Sequence, residues 1–165
     1  MTISAADLAV RTALTDRAVL GLTVWGEARD QTTAGRIAVA NVILHRRAAR
    51  FWGPTISSVC LWPAQFSCWA AAGGAENYAA VMTEARALVQ PACEESLLPA
   101  SLRACLVIAE QAMTGVLPDL VPGATHYLTV ALYETRPPRW VRALRETRRL
   151  GAHVFLGPLP IAAAV

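Results

Sequence analysis

The chain has 165 residues, of which 55% are hydrophobic and 16% charged, with a net charge of +3. At about 150 residues per domain this length predicts one domain, able to bury roughly 68–70% of its unfolded surface, and excludes a two-domain or a disordered chain. All 15 basic residues are arginine and 32 positions are alanine, so much of the apolar fraction is small side chains.

Membrane insertion is excluded by content. The longest uncharged stretch, Phe51 to Ala75, is interrupted by Pro54, Pro63, Gln65 and Gly73-Gly74, and no run of about 18 apolar residues exists. At the N-terminus Asp7 and Arg11 break the apolar run and no basic n-region precedes it, so delivery without a signal peptide is the expectation.

Ser4 is placed to cap a helix from about Ala5 to Ala13, which forms an N-terminal unit over residues 1–14. Thr15 or Asp16 caps a second, carrying Ala18, Val19, Leu22 and Trp25 on one face and ending around Glu27 to Asp30. A third starts near Thr32 or Thr33 and runs to about Arg50. Its apolar arc is so wide that it is the candidate central helix.

Phe51 to Gly74 reads as irregular loop. Helices follow at about Glu76–Val89 and Pro99–Thr114, the latter stopped by Gly115. Ala124–Leu128 and His153–Leu156 read as a short strand pair, and 157–165 as a tail. The outcome is a single α+β domain, predominantly helical. Between the strands, Arg136, Arg139, Arg142, Arg145, Arg148 and Arg149 suggest a basic helix, either a solvated face or a contact for nucleic acid phosphates or an anionic envelope polymer.

Cys60, Cys68, Cys93 and Cys105 lack CxxC spacing and have apolar neighbours, so buried free thiols are expected, with one disulfide the alternative in an oxidising compartment, and no metal or other cofactor is called for.

Glu27 is the sharpest chemical candidate. A carboxylate at the end of Leu22-Thr23-Val24-Trp25-Gly26, set against Trp25, would have its charged form disfavoured, as a general acid requires; pairing with Arg29 or Arg36 is the alternative. Glycosidases commonly use two carboxylates, yet Asp30, Asp119 and Glu134 give no convincing partner, which favours a one-carboxylate mechanism. The stretch Trp62 to Trp69 interleaves aromatics with Gln65 and Ser67, a composition suited to a sugar groove or to a hydrophobic plug. Thr125-His126-Tyr127, with His153 opposite, forms a further candidate cluster.

At these residues the sequence resembles the SleB-type cell wall hydrolase family. The carrying motifs are Gly26-Glu27-Ala28-Arg29, Gly35 to Leu44, Thr55 to Val59, Gln65-Phe66-Ser67-Cys68-Trp69, Gly123 to Tyr127 and Leu150 to Phe155, in the family's order over roughly residues 18–156. The resemblance implies a lysozyme-like fold and cleavage of the β-1,4 bond from N-acetylmuramic acid to N-acetylglucosamine, with Glu27 as the catalytic acid of a lytic transglycosylase. It further implies that Arg29 orients Glu27 and that Gln65, Phe66, Trp69, His126 and Tyr127 meet the glycan.

Peptidoglycan is then the partner, without nucleic acid or membrane insertion, and a phage lysin or phage-like particle component is the expected setting. Asp30-Gln31 stand where the family usually has Gly-Glu, which keeps muramidase hydrolysis open. A Cys68 nucleophile with His126 or His153 as base, making an amidase or peptidase, and a non-catalytic particle module are the competing readings.

Overall fold

The structure, a computed structural model, describes residues 3–71 and 75–159. Among these residues seven α-helices and three strands follow one another: α1 (Ala5–Ala13), α2 (Asp16–Ala28), α3 (Thr33–Ala49), α4 (Ile56–Cys60), α5 (Ala75–Leu88), α6 (Ala100–Met113), β1 (His126–Thr129), α7 (Val130–Thr135), β2 (Leu144–Leu150) and β3 (His153–Pro158). None of these helices is long and apolar enough to cross a membrane.

The first three helices begin where hydroxyl caps predict. Ser4, Thr15 and Thr32 accept from the backbone N–H of Asp7, Ala18 and Gly35 and satisfy donors that a helix start leaves open. Helix α3 stops at Arg50, which takes a left-handed conformation, and α6 is followed by Gly115 at φ 78°.

Helix α2, rather than α3, is the hub. It packs against α3, α4, α5 and α6, and from Ala18 to Gly26 each of its residues is buried. Val19, Leu20, Leu22 and Val24 meet Val39, Ile43, Val59, Val81, Leu102 and Leu106 in one core.

Three readings change. The loop from Phe51 contains a helix, α4, because Thr55 and Ser58 form a reciprocal capping box. The strand pair is a three-stranded antiparallel sheet in the order β1-β3-β2, and β3 extends into the expected tail as far as Pro158; residues 160–165 of that tail lie outside the described residues. The basic segment is not a helix of α type. Arg139 and Arg142 lie in a 3-10 turn (Arg139–Ala143), while Arg145, Arg148 and Arg149 lie in β2.

Strand β2 has apolar residues only at its two ends, so it shows no alternation; its backbone pairing to β3 holds it. A small second core joins the sheet to α7: Leu128, Val154 and Leu156 with Val130, Tyr133, Val141 and Leu144. All four cysteines are free thiols, three of them buried.

Candidate active site

Glu27 stands in the last turn of α2, the first residue after the buried run Ala18–Gly26 to reach a cavity. Its position is set by Gly26. A Cβ there would lie 2.5 Å from Cys68 Cβ and 2.9 Å from Cys68 Sγ, so only glycine lets the 3-10 turn Ser67–Trp69 lie against the helix end. Asn77 of α5 fixes the same point by donating from Nδ2 to Gly26 O at 2.6 Å.

The turn delivers two donors to one carboxylate oxygen. Cys68 N–H donates to Glu27 Oε1 at 3.0 Å and Ser67 Oγ donates to it at 3.1 Å. The other oxygen, Oε2, accepts from Tyr127 Oη at 2.9 Å. Burial first, and Glu27 second, push the Tyr127 hydroxyl well above its ordinary pKa, so it keeps its proton and acts as a donor.

Tyr127 arrives on β1, whose start is clamped by α3. Arg46 Nε donates to Thr125 O at 2.7 Å and His45 Nδ1 to Ala124 O at 2.8 Å. Asn41, itself buried, donates to Pro118 O and accepts from Leu120 N–H. Three polar residues of α3, Asn41, His45 and Arg46, therefore hold the approach to β1 from which Tyr127 donates to Glu27.

The carboxylate opens onto a groove of about 650 Å³ lined by Gln65, Ser67, Asn77, Tyr127, Trp140 and His153, among others. A second hollow of about 370 Å³, lined by Arg46, Ala64, Gln65, His126, Tyr127 and Trp140, shares five of these six residues with the groove. Among the described lining residues Glu27 is the sole acid. Asp119 lies 3.1 Å from His45, Glu134 bonds Arg149, and Asp30 accepts from Gln31.

Gln65, His126 and Tyr127 thus join Glu27 along this space. Phe66 also lines the groove, but its ring is buried beneath the Arg46 guanidinium. Trp69 turns into the core and donates from Nε1 to Thr23 Oγ1 at 2.8 Å; it is part of the plug and not of the lining.

Arg29 is likewise away from the groove. Its guanidinium lies 4.9 Å from the Trp25 ring, and Trp25 donates to Ser101 of α6. Residues two apart on a helix point about 200° apart, which separates Trp25 from Glu27 and removes the expected apolar contact. Arg36 donates to the carbonyls of Ala28 and Arg29, not to Glu27.

Asn77 and Trp140 also belong to the site, and nothing in their local sequence pattern marks them. Ser67 was visible only as one of several hydroxyls in its loop. Among the described residues no group of three or more His, Cys, Asp or Glu could hold a metal ion.

A helical domain whose small sheet closes a groove over one helix-end carboxylate has a lysozyme-like α+β fold. The cell wall hydrolase family matches residues 30–156, and the chain belongs to that family: it is an enzyme that acts on peptidoglycan.

The matched stretch begins just after Glu27. Two solved structures share the fold. The catalytic domain of the germination-specific lytic transglycosylase SleB from Bacillus anthracis is 22% identical, with a TM-score of 0.58, over 86% of this chain and 93% of that one. The catalytic domain of the Bacillus cereus SleB protein is 23% identical, with a TM-score of 0.59, over 86% and 88%. None of the curated proteins matches the chain.

Proposed function

We propose that the chain cleaves the β-1,4 bond between N-acetylmuramic acid and N-acetylglucosamine as a lytic transglycosylase, with Glu27 as its catalytic acid and base. The observation that carries this reading is the single carboxylate on the groove, held on both oxygens by three donors, with no second acid among the described lining residues. The Bacillus anthracis structure that shares the fold is that of a lytic transglycosylase, which supports the reading.

In the proposed reaction protonated Glu27 gives its proton to the glycosidic oxygen as the C1–O bond breaks. The carboxylate then takes the proton of the muramic C6 hydroxyl while O6 bonds to C1. The result is a 1,6-anhydro ring, no water is consumed, and Glu27 returns to its acid form. Ser67, the Cys68 N–H and Tyr127 keep the carboxylate aimed through both steps, and three fixed donors need no reorganisation when the charge appears.

The cysteine route has little support. Cys68 is fully buried, and burial together with Glu27 holds its thiol well above the ordinary value, so the thiolate that nucleophilic attack requires is suppressed.

Mass spectrometry of muropeptides released by the purified chain tests the reading. Anhydro-muramic ends, lost in Glu27→Gln and kept in Cys68→Ser, are expected. Reducing muramic ends would replace the transglycosylase by a muramidase, and cut stem peptides would replace both by an amidase or peptidase.

A further inference from the structure

The positive charge of this chain is confined to one segment. Residues 136–149 hold six arginines against one glutamate, while the rest of the chain holds nine arginines against eleven acids and is net negative. Within the segment Arg149 is matched by Glu134 and Glu146. Arg136, Arg139 and Arg142 are exposed, and none of them is among the ion pairs of the described residues.

This is also the segment that supplies Trp140 to the wall of the groove and of the adjoining hollow. In a 3-10 turn residues three apart stand one above the other. Arg139 and Arg142 therefore share one face of the turn Arg139–Ala143, about a third of a turn from Trp140, and Arg136 precedes them by the same interval. Trp140 faces the groove, and Arg139 and Arg142 form a short row of exposed cations on the adjoining face of the same turn, with Arg136 before it across Pro137-Pro138.

Such a row attracts anions that recur on whatever polymer occupies the groove. On a peptidoglycan strand the recurring anions are the carboxylates of the stem peptides, one stem on each muramic residue, projecting sideways from the glycan. We propose that Arg136, Arg139 and Arg142 form a binding rim for stem-peptide carboxylates, which makes the chain selective for stem-bearing glycan over glycan with neutralised stems. This rests on the glycan occupying the Glu27 groove.

The test compares the wild-type chain with the triple variant Arg136→Gln, Arg139→Gln, Arg142→Gln on native peptidoglycan and on peptidoglycan whose carboxylates have been converted to amides. For three exposed charge contacts the expected loss is about tenfold in KM on the native polymer, with kcat unchanged. On the amidated polymer the variant and wild type are expected to coincide, and the salt dependence of the wild type to flatten. Equal losses on both polymers, or none on either, overturn the proposal.

Binding to sacculi in a sedimentation assay reads the rim without catalysis. Amidation that weakens wild-type binding but not that of the variant supports the rim even if no anhydro ends are formed, so the two proposals fail separately. Two further results would overturn it: a difference that vanishes when phosphate polymers are stripped from the sacculi, and a difference seen only with a DNA oligomer.

Discussion

Helix α2 carries the acid and strand β2 backs the sheet that faces it, and the two are built oppositely. From Ala18 to Ala28 the helix buries every residue except Glu27, whereas no residue of β2 is buried. The helix is fixed by side chains on all sides. The strand is fixed by its hydrogen bonds to β3, which is itself buried from His153 to Gly157. The acid thus rests on the part of the molecule with the most packing, whereas the sheet across the groove rests partly on that core, through Phe155 and Tyr127, and partly on a small second one built on Leu128, Val154 and Leu156.

The largest effect expected on the chemistry side comes from Glu27→Gln, which keeps the shape, removes the titrating group and leaves one amide oxygen able to accept where two carboxylate oxygens did. Turnover should fall on the order of 10³-fold, as for loss of a general acid-base, while the thermal midpoint stays near that of the wild type by calorimetry. A wild-type rate in this variant would move the reaction to another residue.

Gly26→Ala strikes the packing that aims Glu27. Its Cβ would press on Cys68 Cβ at 2.5 Å and on Val81 Cγ2 at 3.0 Å, and neither atom can swing aside freely. A loss of about 1–3 kcal/mol by urea titration is expected from overpacking, together with a fall in kcat as the Cys68 N–H moves off Oε1. If stability falls while kcat holds, the turn is not what positions the carboxylate.

Tyr127→Phe crosses from one half to the other. It deletes a hydroxyl donated from the sheet to Glu27 Oε2 and leaves the ring contacts with His153 and Phe155. Steady-state kinetics should show kcat reduced roughly a hundredfold with KM little changed, the lower end of the range for loss of one preorganised donor.

What could be read from residues alone follows the same division. Helices α1 to α3 were legible to within a residue or two because hydroxyl caps and apolar periodicity agree, and Glu27 stood out as an acid at the end of an apolar run. Strand β2 is illegible because Leu144-Arg145-Glu146-Thr147-Arg148-Arg149-Leu150 holds no fully buried residue and packs on the cores only through its end leucines; its structure follows from β3's backbone. The same limit applies within the site. Tyr127 was suspected from its neighbours, but its bond to Glu27 spans 100 positions. Trp69 and Arg29 misled for a related reason: composition places an aromatic or a cation near a site, and only packing decides which way it turns.

The smallest effect tests the sheet alone, through pH. Burial first, and the Arg46 charge second, lower His126 from its ordinary 6.5 to about 4, so the folded chain holds it neutral. His153, also buried, is lowered in the same direction. Above about pH 6.5 neither the folded nor the unfolded state protonates His126, and its neutral packing contributes in full. As pH falls from 6.5 towards 4 the unfolded chain takes up a proton that the folded chain refuses, so stability declines over that window and the decline is complete below it. Because His126 is only half-buried, solvent screening reduces the full linkage to about 1 kcal/mol between pH 7 and 4.5. Urea titrations at those two values should show this loss in the wild type and a smaller one in His126→Asn. The residual slope then belongs to His153, lowered in the same direction, and to Asp7 and Glu95, whose carboxyls are held below their ordinary values and lose that stabilisation as pH falls. An equal slope in both proteins would mean that His126 titrates alike folded and unfolded, and that the wall opposite Glu27 is no drier than the solvent.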